Sequence, residues 1–368
     1  MSKAIYHKVS FNNKLCRDFT MEVKQKVNAY FEENKLSKHA NSAMVFKTIV
    51  ILSFFFGSYA IIISGAFSLS IMWLAAFIMG VAMAGIGFSV SHDALHGAYS
   101  SNSKVNTVLG LTFDILGANG YIWKITHNII HHTYTNIHGH DEDLEVSELI
   151  RLSPHTPHKS IHKFQHILAF IAYSLATVFW VVAKDFIYFF KKRLGPYENK
   201  KHPVKEWVVL IVTKIFYYFY AIVLPLMILP ITWQEWLIGF LTLHLTAGLI
   251  LGVVFQLAHV VEETDHPLPN EEMTIENHWL VHEMLTTSNF ARKNKVLSWY
   301  IGGLNYQIEH HLFPHVCSIH YPEISHIVEE TANKYGIPYK QHETFTEAVV
   351  SHYRTLKKFG NSEFIYAS

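Results

Sequence analysis

Four stretches of this chain are apolar over the length of a membrane-spanning helix. They cover residues 44–67, 71–91, 207–230 and 236–258, and each reaches the ~20 residues that cross a hydrocarbon core of about 30 Å. The connectors 68–70 and 231–235 contain no lysine or arginine, whereas the other polar segments are rich in both. Because positively charged loops tend to stay in the cytoplasm, we predict two transmembrane hairpins with both termini and the large loops in the cytoplasm.

A fifth apolar window covers residues 166–190. It contains Lys184 and Asp185 and is followed by the basic run 191–193. If it crossed the membrane, the histidine-rich segments before and after it would lie on opposite sides. We therefore predict a helix that lies in the cytoplasmic interface, with an ordinary fifth span as the alternative.

The predicted fold is an all-α integral membrane protein with four transmembrane helices in two hairpins, one interfacial helix and a cytoplasmic helical cap. Residues 91–148 and the chain after Glu262 are expected to form the cap. The expected divisions are a cytoplasmic N-terminal segment (1–43), a membrane domain (44–332) and a cytoplasmic C-terminal tail (333–368). The first forty residues are polar and basic, so we expect no cleavable signal peptide.

The composition agrees with this class of protein. Hydrophobic residues make up 50% of the chain and charged residues only 16%, which is typical of bilayer segments that alternate with polar ones. A net charge of +1 gives no indication of nucleic-acid binding. Cys16 and Cys317 lie far apart in the sequence, so we expect no disulfide framework and a reducing compartment.

Histidine is unusually frequent, with 26 copies, and seven of them fall in three clusters. The clusters read His92-Asp-Ala-Leu-His96, His127-Asn-Ile-Ile-His131-His132 and Gln307-Ile-Glu-His310-His311. Offsets of three and four residues place side chains on one face of an α-helix. A single pair such as His278 and His282 is unremarkable in so histidine-rich a chain, but three ordered clusters predict a common function.

Imidazoles that converge from three helical faces predict a metal site. Imidazole suits iron, zinc, copper and nickel, and the lack of cysteine among the candidate ligands excludes thiolate-rich zinc and iron–sulfur sites. Seven imidazoles exceed what one ion can hold. The predicted topology brings all three clusters to the same membrane face, so we predict an all-histidine site with more than one metal ion.

The three clusters, in this order and at these places between the spans, resemble those of the membrane fatty acid desaturases. The resemblance covers roughly residues 43–327, and the segment from Trp299 to Pro314, Trp-Tyr-Ile-Gly-Gly-Leu-Asn-Tyr-Gln-Ile-Glu-His-His-Leu-Phe-Pro, is similar to that of front-end desaturases and their bacterial relatives. In that subgroup a glutamine, here Gln307, replaces the first histidine of the third cluster. The resemblance implies an oxygen-dependent enzyme that introduces a cis double bond into the acyl chain of an acyl-CoA or acyl-lipid, between an existing double bond and the carboxyl end.

The resemblance also implies the cofactors and the ligands. The cofactors are two iron ions, with O2 as a co-substrate. His259 in Phe255-Gln-Leu-Ala-His259 matches a further family histidine at the end of the last span. The expected metal-binding residues are therefore His92, His96, His127, His131, His132, His259, His310 and His311, with Gln307 as a ninth position. Carboxylates expected to orient their rings are to be sought among Asp93, Asp141, Asp143, Glu262, Glu263 and Glu309.

The expected partners are a fatty acyl substrate, membrane lipid and a separate electron donor, either a ferredoxin or a b-type cytochrome with its reductase. A separate donor is expected because the sequence lacks the His-Pro-Gly-Gly signature of a fused haem domain. No nucleic-acid partner is expected. The predicted location is a bacterial inner membrane, with a multi-pass protein whose active site faces the cytoplasm.

Two alternatives stay open. A di-iron membrane hydroxylase of lipid or hydrocarbon chains would use the same ligands, and a non-redox metal-binding membrane protein would place ligands inside the bilayer, where His244 is the candidate. Asn136 and His140 lie in a family-like stretch but are also acceptable as loop residues. The loosely spaced histidines are expected to form a basic interfacial surface for lipid headgroups or an acidic redox partner; they are His138, His155, His158, His162 and His166.

Overall fold

The computed structural model describes residues 8–144, 148–198, 201–362 and 364. Residues 1–7 of the predicted N-terminal segment, and residues 363 and 365–368 of the predicted tail, lie outside this part of the chain. Helices dominate the described residues. In chain order they are α1 (Arg17–Glu33), α2 (Ser42–Ile63), α3 (Leu69–Leu95), α4 (Ser103–Ile115), α5 (Gly120–Trp123, Lys124–His131 and His132–Tyr134), α6 (Ser160–Ser174), α7 (Ala176–Phe190), α8 (Val204–Ile228), α9 (Trp233–His259), α10 (Trp279–Leu285), α11 (Lys295–Tyr300), α12 (Gln307–Leu312), α13 (Tyr321–Lys334) and α14 (Phe345–Phe359).

Six strands of two residues each add three small pairs to the predicted all-α fold. They are β1 (Ser10–Phe11), β2 (Arg193–Leu194), β3 (Tyr197–Glu198), β4 (Thr274–Ile275), β5 (Asn289–Phe290) and β6 (Gln341–His342). β1 pairs with β4 and β5 with β6 in parallel, and β2 pairs with β3 antiparallel. Two of these pairs fasten distant parts of the chain to each other within the cap.

Four helices, α2, α3, α8 and α9, are long and apolar enough to cross a membrane, as predicted. Their ends differ from the predicted ones because capping residues set them. The N-cap residue of α2 is Asn41, whose side chain accepts a hydrogen bond from the Met44 N–H. The helix ends before Gly65, which adopts a left-handed φ of 62°. α9 begins three residues earlier than predicted because Thr232 and Glu235 form a capping box.

α3 lies at the centre of the membrane domain and packs against both α2 and α9. The approach to α9 is close: a Cβ atom at Gly80 would lie only 2.5 Å from the carbonyl oxygen of Leu243. Such small-residue contacts are a common basis of helix packing in membranes. After a π-helical turn at Ile86–Ser91, α3 continues past its predicted end to Leu95. His92 therefore belongs to the helix itself.

The fifth apolar window forms two helices, α6 and α7, that meet at an angle of 53°. This differs from the predicted single interfacial helix. Thr177, just after the bend, donates its hydroxyl hydrogen bond to the carbonyl oxygen of His244 at 2.8 Å. His244 lies in the middle of α9, so the bend reaches deep into the membrane domain instead of lying on its surface.

Both ends of this bent pair return to the histidine-rich end of the spans. At the start of α6, the Gln165 side chain donates hydrogen bonds to the carbonyl oxygens of Arg151 and Leu356 in the cap. At the end of α7, Phe189 packs in one cluster with Ile130 of the second histidine segment. The shared position of both ends favours a re-entrant hairpin over a broken fifth span, and we adopt this interpretation because it keeps the histidines on a common face.

The cap has an apolar core of its own, separate from the packing of the membrane helices. In this core α1 packs against α13, together with α10 and α12. The segment between α1 and α2 runs across the first and third histidine segments: the Cys317 N–H donates to the Lys38 carbonyl, and the Ala40 N–H donates to the Tyr99 carbonyl. α14 closes the opposite side against α6 and α9. The two ends of the described chain therefore both belong to the cap.

This arrangement predicts the outcome of cysteine labelling in intact cells. In a Cys16→Ser background, Ser70→Cys and Gln234→Cys in the short connectors are expected to react with an impermeant thiol reagent, whereas Glu198→Cys is expected to stay unmodified until the membrane is permeabilised. All three positions are exposed, so accessibility depends on sidedness alone. Labelling of Glu198→Cys from outside would contradict the re-entrant hairpin and the shared face.

Candidate metal centre

Eight imidazoles converge where α3, α5, α9 and α12 meet the cap. Seven are buried and His96 is nearly so. Their ring nitrogens form overlapping groups whose atoms lie within 4.8 Å of one another: His92, His96, His127 and His310 in one group, His131, His259 and His311 in another, and His132 with His310 and His311 between them. The structure thus brings together all eight histidines that the sequence predicted as ligands.

Two π-helical turns set the direction of the side chains in the first two histidine clusters. One turn, Ile86–Ser91, immediately precedes His92, and the other, Lys124–His131, contains His127 and His131. A π-turn bonds residue i to residue i+5, so it also brings His127 and His132 together, and their Nε2 atoms lie 3.2 Å apart. The α-helical offset used in the sequence prediction relates His127 to His131, but it does not account for this contact.

The other ring nitrogen of most of these histidines is anchored to the protein. The Nδ1–H groups of three rings donate to carboxylates: His131 to Asp141 at 3.0 Å, His127 to Asp143 at 3.4 Å and His311 to Glu283 at 2.6 Å. Two further Nδ1 atoms lie close to neutral oxygens, His259 to the Thr286 carbonyl (3.3 Å) and His310 to the Tyr321 hydroxyl (3.2 Å). Such partners fix the orientation of metal-binding imidazoles and raise their basicity.

The inward nitrogens fit a metal. Among the eight converging histidines, all within the described part of the chain, five have a buried Nε2 atom without a hydrogen-bond partner: His96, His131, His259, His310 and His311. A buried polar atom without a partner costs about 1–3 kcal/mol. Five such atoms would cost an amount comparable to the whole stability of a typical domain, whereas coordination to metal ions would satisfy all five.

The electrostatics also favour metal binding. Burial, together with the neighbouring imidazoles, holds the pKa of His96, His127, His132, His310 and His311 well below its usual value. These rings are therefore neutral at pH 7, and neutral imidazole is the form that binds metal. His131 is the exception: burial lowers its pKa, but the charge and hydrogen bond of Asp141 raise it by more.

The candidate carboxylates divide into two sets. Asp141 and Asp143 contact ligand histidines, as expected. Asp93 lies 3.6 Å from His92 Nδ1, and its other oxygen accepts hydrogen bonds from the Ser318 N–H and hydroxyl, which joins the first histidine segment to the loop after the third. The other three candidates have different partners: Glu309 bonds to Asn289 and Tyr339, and Glu262 and Glu263 lie at the surface of the cap.

Glu283 is the carboxylate that the sequence prediction missed. It is completely buried, accepts hydrogen bonds from Thr135 and His311, and its pKa is raised well above the usual value by burial. It lies in α10, within the otherwise mostly apolar run Leu280-Val-His-Glu-Met-Leu285. A carboxylate in the middle of such a run is the sequence signal that could have identified it, because charged residues are rarely buried without a partner.

Asn136 has a defined structural role. It adopts a left-handed φ of 60°, a conformation in which asparagine is enriched. Its side-chain amide donates to the carbonyl oxygens of His259 and Asp265, at 2.9 and 3.0 Å. Asn136 therefore ties the second histidine segment to the end of α9. His140 is buried beside Tyr134, outside the groups of converging nitrogens.

Three of the loosely spaced histidines do not fit the expected basic interfacial surface, because they hydrogen-bond to backbone carbonyls: His155 to His266, His158 to Gly360 and His162 to Glu148. Burial lowers the pKa of His155 and His162, so these rings are not a source of positive charge at neutral pH. They fasten the segment before α6 to the cap.

Gln307 is buried in the first turn of α12, one turn before His310 and His311. This position agrees with a place on the same helical face as the two ligands. Its contact with a metal stays a prediction.

Comparison with known proteins gives a consistent picture. The family model described as fatty acid desaturase matches residues 68–343. The chain is 36% identical over 353 residues to the sn-1 linoleoyl-lipid 6-desaturase of Arthrospira platensis (95% of this chain, 94% of that protein), and 35% identical over 359 residues to the enzyme of the same name in Synechocystis (96% and 98%). It is 33% identical over 349 residues to an acyl-lipid (8-3)-desaturase of Physcomitrium patens (94% and 72%).

The anchoring role of Glu283 is testable by Glu283→Gln, which keeps the shape but replaces the carboxyl group that supports His311 by an amide. The loss of such a partner typically reduces metal affinity or activity by about 10- to 100-fold. We expect the purified variant to release bound metal to weaker chelators than the unaltered chain does. Glu262→Gln, at an exposed carboxylate, serves as the control. Equal metal retention by both variants would contradict the role of Glu283.

A second substitution tests Gln307. A neutral amide is a weaker ligand than imidazole and leaves a metal more open to oxygen, so Gln307→Ala is expected to lose much of the activity, by about 10-fold or more. Gln307→His shows whether the position requires an amide or only a donor to metal. Desaturation at the unaltered rate by Gln307→Ala, with full iron occupancy, would reduce Gln307 to a packing residue.

Proposed function

This chain belongs to the fatty acid desaturase family, and from that premise we propose that it is a di-iron, oxygen-dependent acyl-lipid desaturase with front-end regiochemistry. It is a multi-pass membrane enzyme of the oxidoreductase class, and its substrate is a fatty acyl chain. The observation that carries the proposal is the set of eight converging imidazoles, five of which have an anchored outer nitrogen and five an unpartnered inner one. The metal identity, the lipid-linked substrate and the bond position are the parts that we add.

The ligand groups assign residues to two ions. His92, His96, His127 and His310 would hold one, His131, His259 and His311 would hold the other, and His132 lies close to both groups. Gln307 would contribute beside them, as the ninth position. When bound, two irons supply the power to reduce O2 and remove hydrogen from an unactivated methylene pair, which no protein side chain can do.

The protein's own contribution is orientation and exclusion of water. Asp141, Asp143 and Glu283 fix three rings through their outer nitrogens. The segment between α1 and α2 runs across the chain that follows the first and third histidine segments. Burial keeps the rings neutral and the site dry, so that a reactive centre contacts the acyl chain instead of solvent. The precise placement of one methylene pair is the remaining requirement.

A partly open apolar cavity can receive the end of the acyl chain. It lies among α2, α3, α8 and α9 and is bounded at its inner end by Met83, Leu116 and Tyr217. Met83 is nine residues before His92 in α3, a rise of about 13 Å at 1.5 Å per residue. An acyl chain whose reacting carbons lie beside the histidines would extend its methyl end toward this cavity.

The lipid-linked substrate and front-end position are proposed from two supports. The two cyanobacterial relatives are named for a 6-desaturase acting on linoleoyl-lipid, and further relatives are named as acyl-lipid (8-3)-desaturases. The Gln307-Ile-Glu-His310-His311 segment carries the glutamine that marks front-end enzymes. Both lead to insertion of the new bond between an existing one and the carboxyl end.

The proposal extends to the electron donor and the location. A separate ferredoxin or b-type cytochrome would supply two electrons at the cap, because the printed sequence contains no haem or flavin motif of its own. We place the cap and metal centre in the cytoplasm, where such donors are found, and the spans in a bacterial inner membrane.

The test is expression in a host that makes only saturated and simple monounsaturated fatty acids, with linoleic acid supplied. We expect membrane lipids to acquire an additional double bond on the carboxyl side of the existing ones, located by mass spectrometry. His131→Ala, which removes one ligand, is expected to insert into the membrane without forming product. A hydroxylated product would favour the hydroxylase alternative, and lack of any product with full iron content would contradict the proposal.

A further inference from the structure

A lysine lies buried in the middle of the membrane domain. Lys214 of α8 is 3% exposed and forms an ion pair with Asp185 of α7 at 2.8 Å. Its ammonium group also donates to three backbone carbonyl oxygens, those of Gly117 (2.7 Å), Trp180 (3.0 Å) and Val181 (3.3 Å). One side chain therefore joins the third span, the re-entrant hairpin and the turn after α4.

Packing alone does not explain a charge at this place. A buried ion pair contributes little net stability over apolar residues of the same size, and intramembrane charges usually mark a function. The carbonyls it contacts belong to irregular backbone: Trp180 begins a π-helical turn, and Gly117 has a left-handed φ of 89°. Lys214 thus satisfies acceptors at the two points where regular helix geometry is interrupted.

The segments around Gly117 and Trp180, which we call the wall, have contacts toward the metal centre on one side and toward the apolar cavity on the other. On the histidine side, Trp180 contacts Phe113, Phe113 contacts Trp123, and Trp123 stacks on the ring of His127 at 4.4 Å. On the cavity side, Leu116 and Tyr217 line the cavity itself.

The wall has little room to shift. A Cβ atom at Gly117 would lie 2.6 Å from Val181 and 2.8 Å from Tyr217. Tyr218 adds a second hydrogen bond from α8, at 2.6 Å, to the Val181 carbonyl oxygen. A change in the position of α7 relative to α8 would therefore move the aromatic residues that lie next to His127.

We propose that Lys214 is a positioning residue that fixes this wall and thereby sets how far an acyl chain extends past the metal centre. The carbon pair that stops beside the histidines, and hence the position of the new double bond, would depend on it. This inference rests on the proposed desaturase function and adds a determinant of regiochemistry that touches neither metal nor ligand.

The test compares Lys214→Met with Lys205→Met, the same substitution at an exposed position near the start of the same helix. A misplacement of about 1 Å can change a rate by about 100-fold, so Lys214→Met is expected to raise the fraction of displaced double bonds by about tenfold or more. Lys205→Met is expected to give the product of the unaltered chain. The readout is the ratio of positional isomers, which a loss of folded enzyme alone would not alter.

A second variant separates positioning from stability. Lys214→Met leaves the Asp185 carboxylate buried without its partner, whereas Lys214→Met with Asp185→Leu removes both charges and should restore the amount of folded protein. The double variant still lacks the bonds to the three carbonyls, so we expect displaced double bonds from it as well. A single unaltered isomer from the double variant would overturn the inference alone, and absence of desaturation by the unaltered chain would overturn the proposed function with it.

Discussion

A buried imidazole has two ring nitrogens, and each of them needs a partner. In five of the eight converging histidines of this protein, the outer nitrogen is bonded by a carboxylate, a carbonyl or a hydroxyl, and the inner nitrogens of the set face other imidazoles. The outer partners come from distant parts of the chain: Asp141 follows α5, Glu283 lies in α10 and Tyr321 begins α13. The cap is therefore the scaffold that makes a cluster of neutral imidazoles possible, and its folding is inseparable from the formation of the site.

The same requirement constrains the membrane domain. Histidines from α3, α5, α9 and α12 can meet only if the intervening chain returns to the same side each time. The apolar window 166–190 has the length of a span, but it is bent by 53° between α6 and α7, and both of its ends contact segments at the histidine-rich end of the spans. Lys214, which is paired with Asp185, provides hydrogen-bond donors for the backbone at that depth, where water cannot do so. A charge in the apolar core is thus a consequence of keeping all ligands on one face.

Much of this organisation could be predicted from the sequence, because its signals are local. Apolar length identified α2, α3, α8 and α9, histidine spacing identified seven residues that do converge, and the family resemblance added the eighth, His259. What could not be predicted depends on tertiary contacts. Glu283 is only one of many glutamates until the packing of α10 against α12 brings it to His311. His155 and His162 were expected at the surface. His155 instead binds the carbonyl of His266, which is distant in the sequence, and His162 binds the carbonyl of Glu148, which lies in a turn that hydrophobic periodicity does not reveal.

The π-helical turns show why spacing alone gives the ligands but not their geometry. α3 must present apolar side chains to α2 and α9 over most of its length and then direct two imidazoles toward the cap. In a regular α-helix, the face that packs against α2 and α9 would also fix the direction of the two histidines. The wider turn at Ile86–Ser91 rotates the residues after it relative to those before it. The direction of the histidines is therefore independent of the face that packs in the membrane domain. The turn at Lys124–His131 does the same for α5, where it brings His127 and His132 within 3.2 Å of each other. A membrane span and a metal-binding helix can thus be one continuous element, provided that its register changes at the point where the bilayer ends and the site begins.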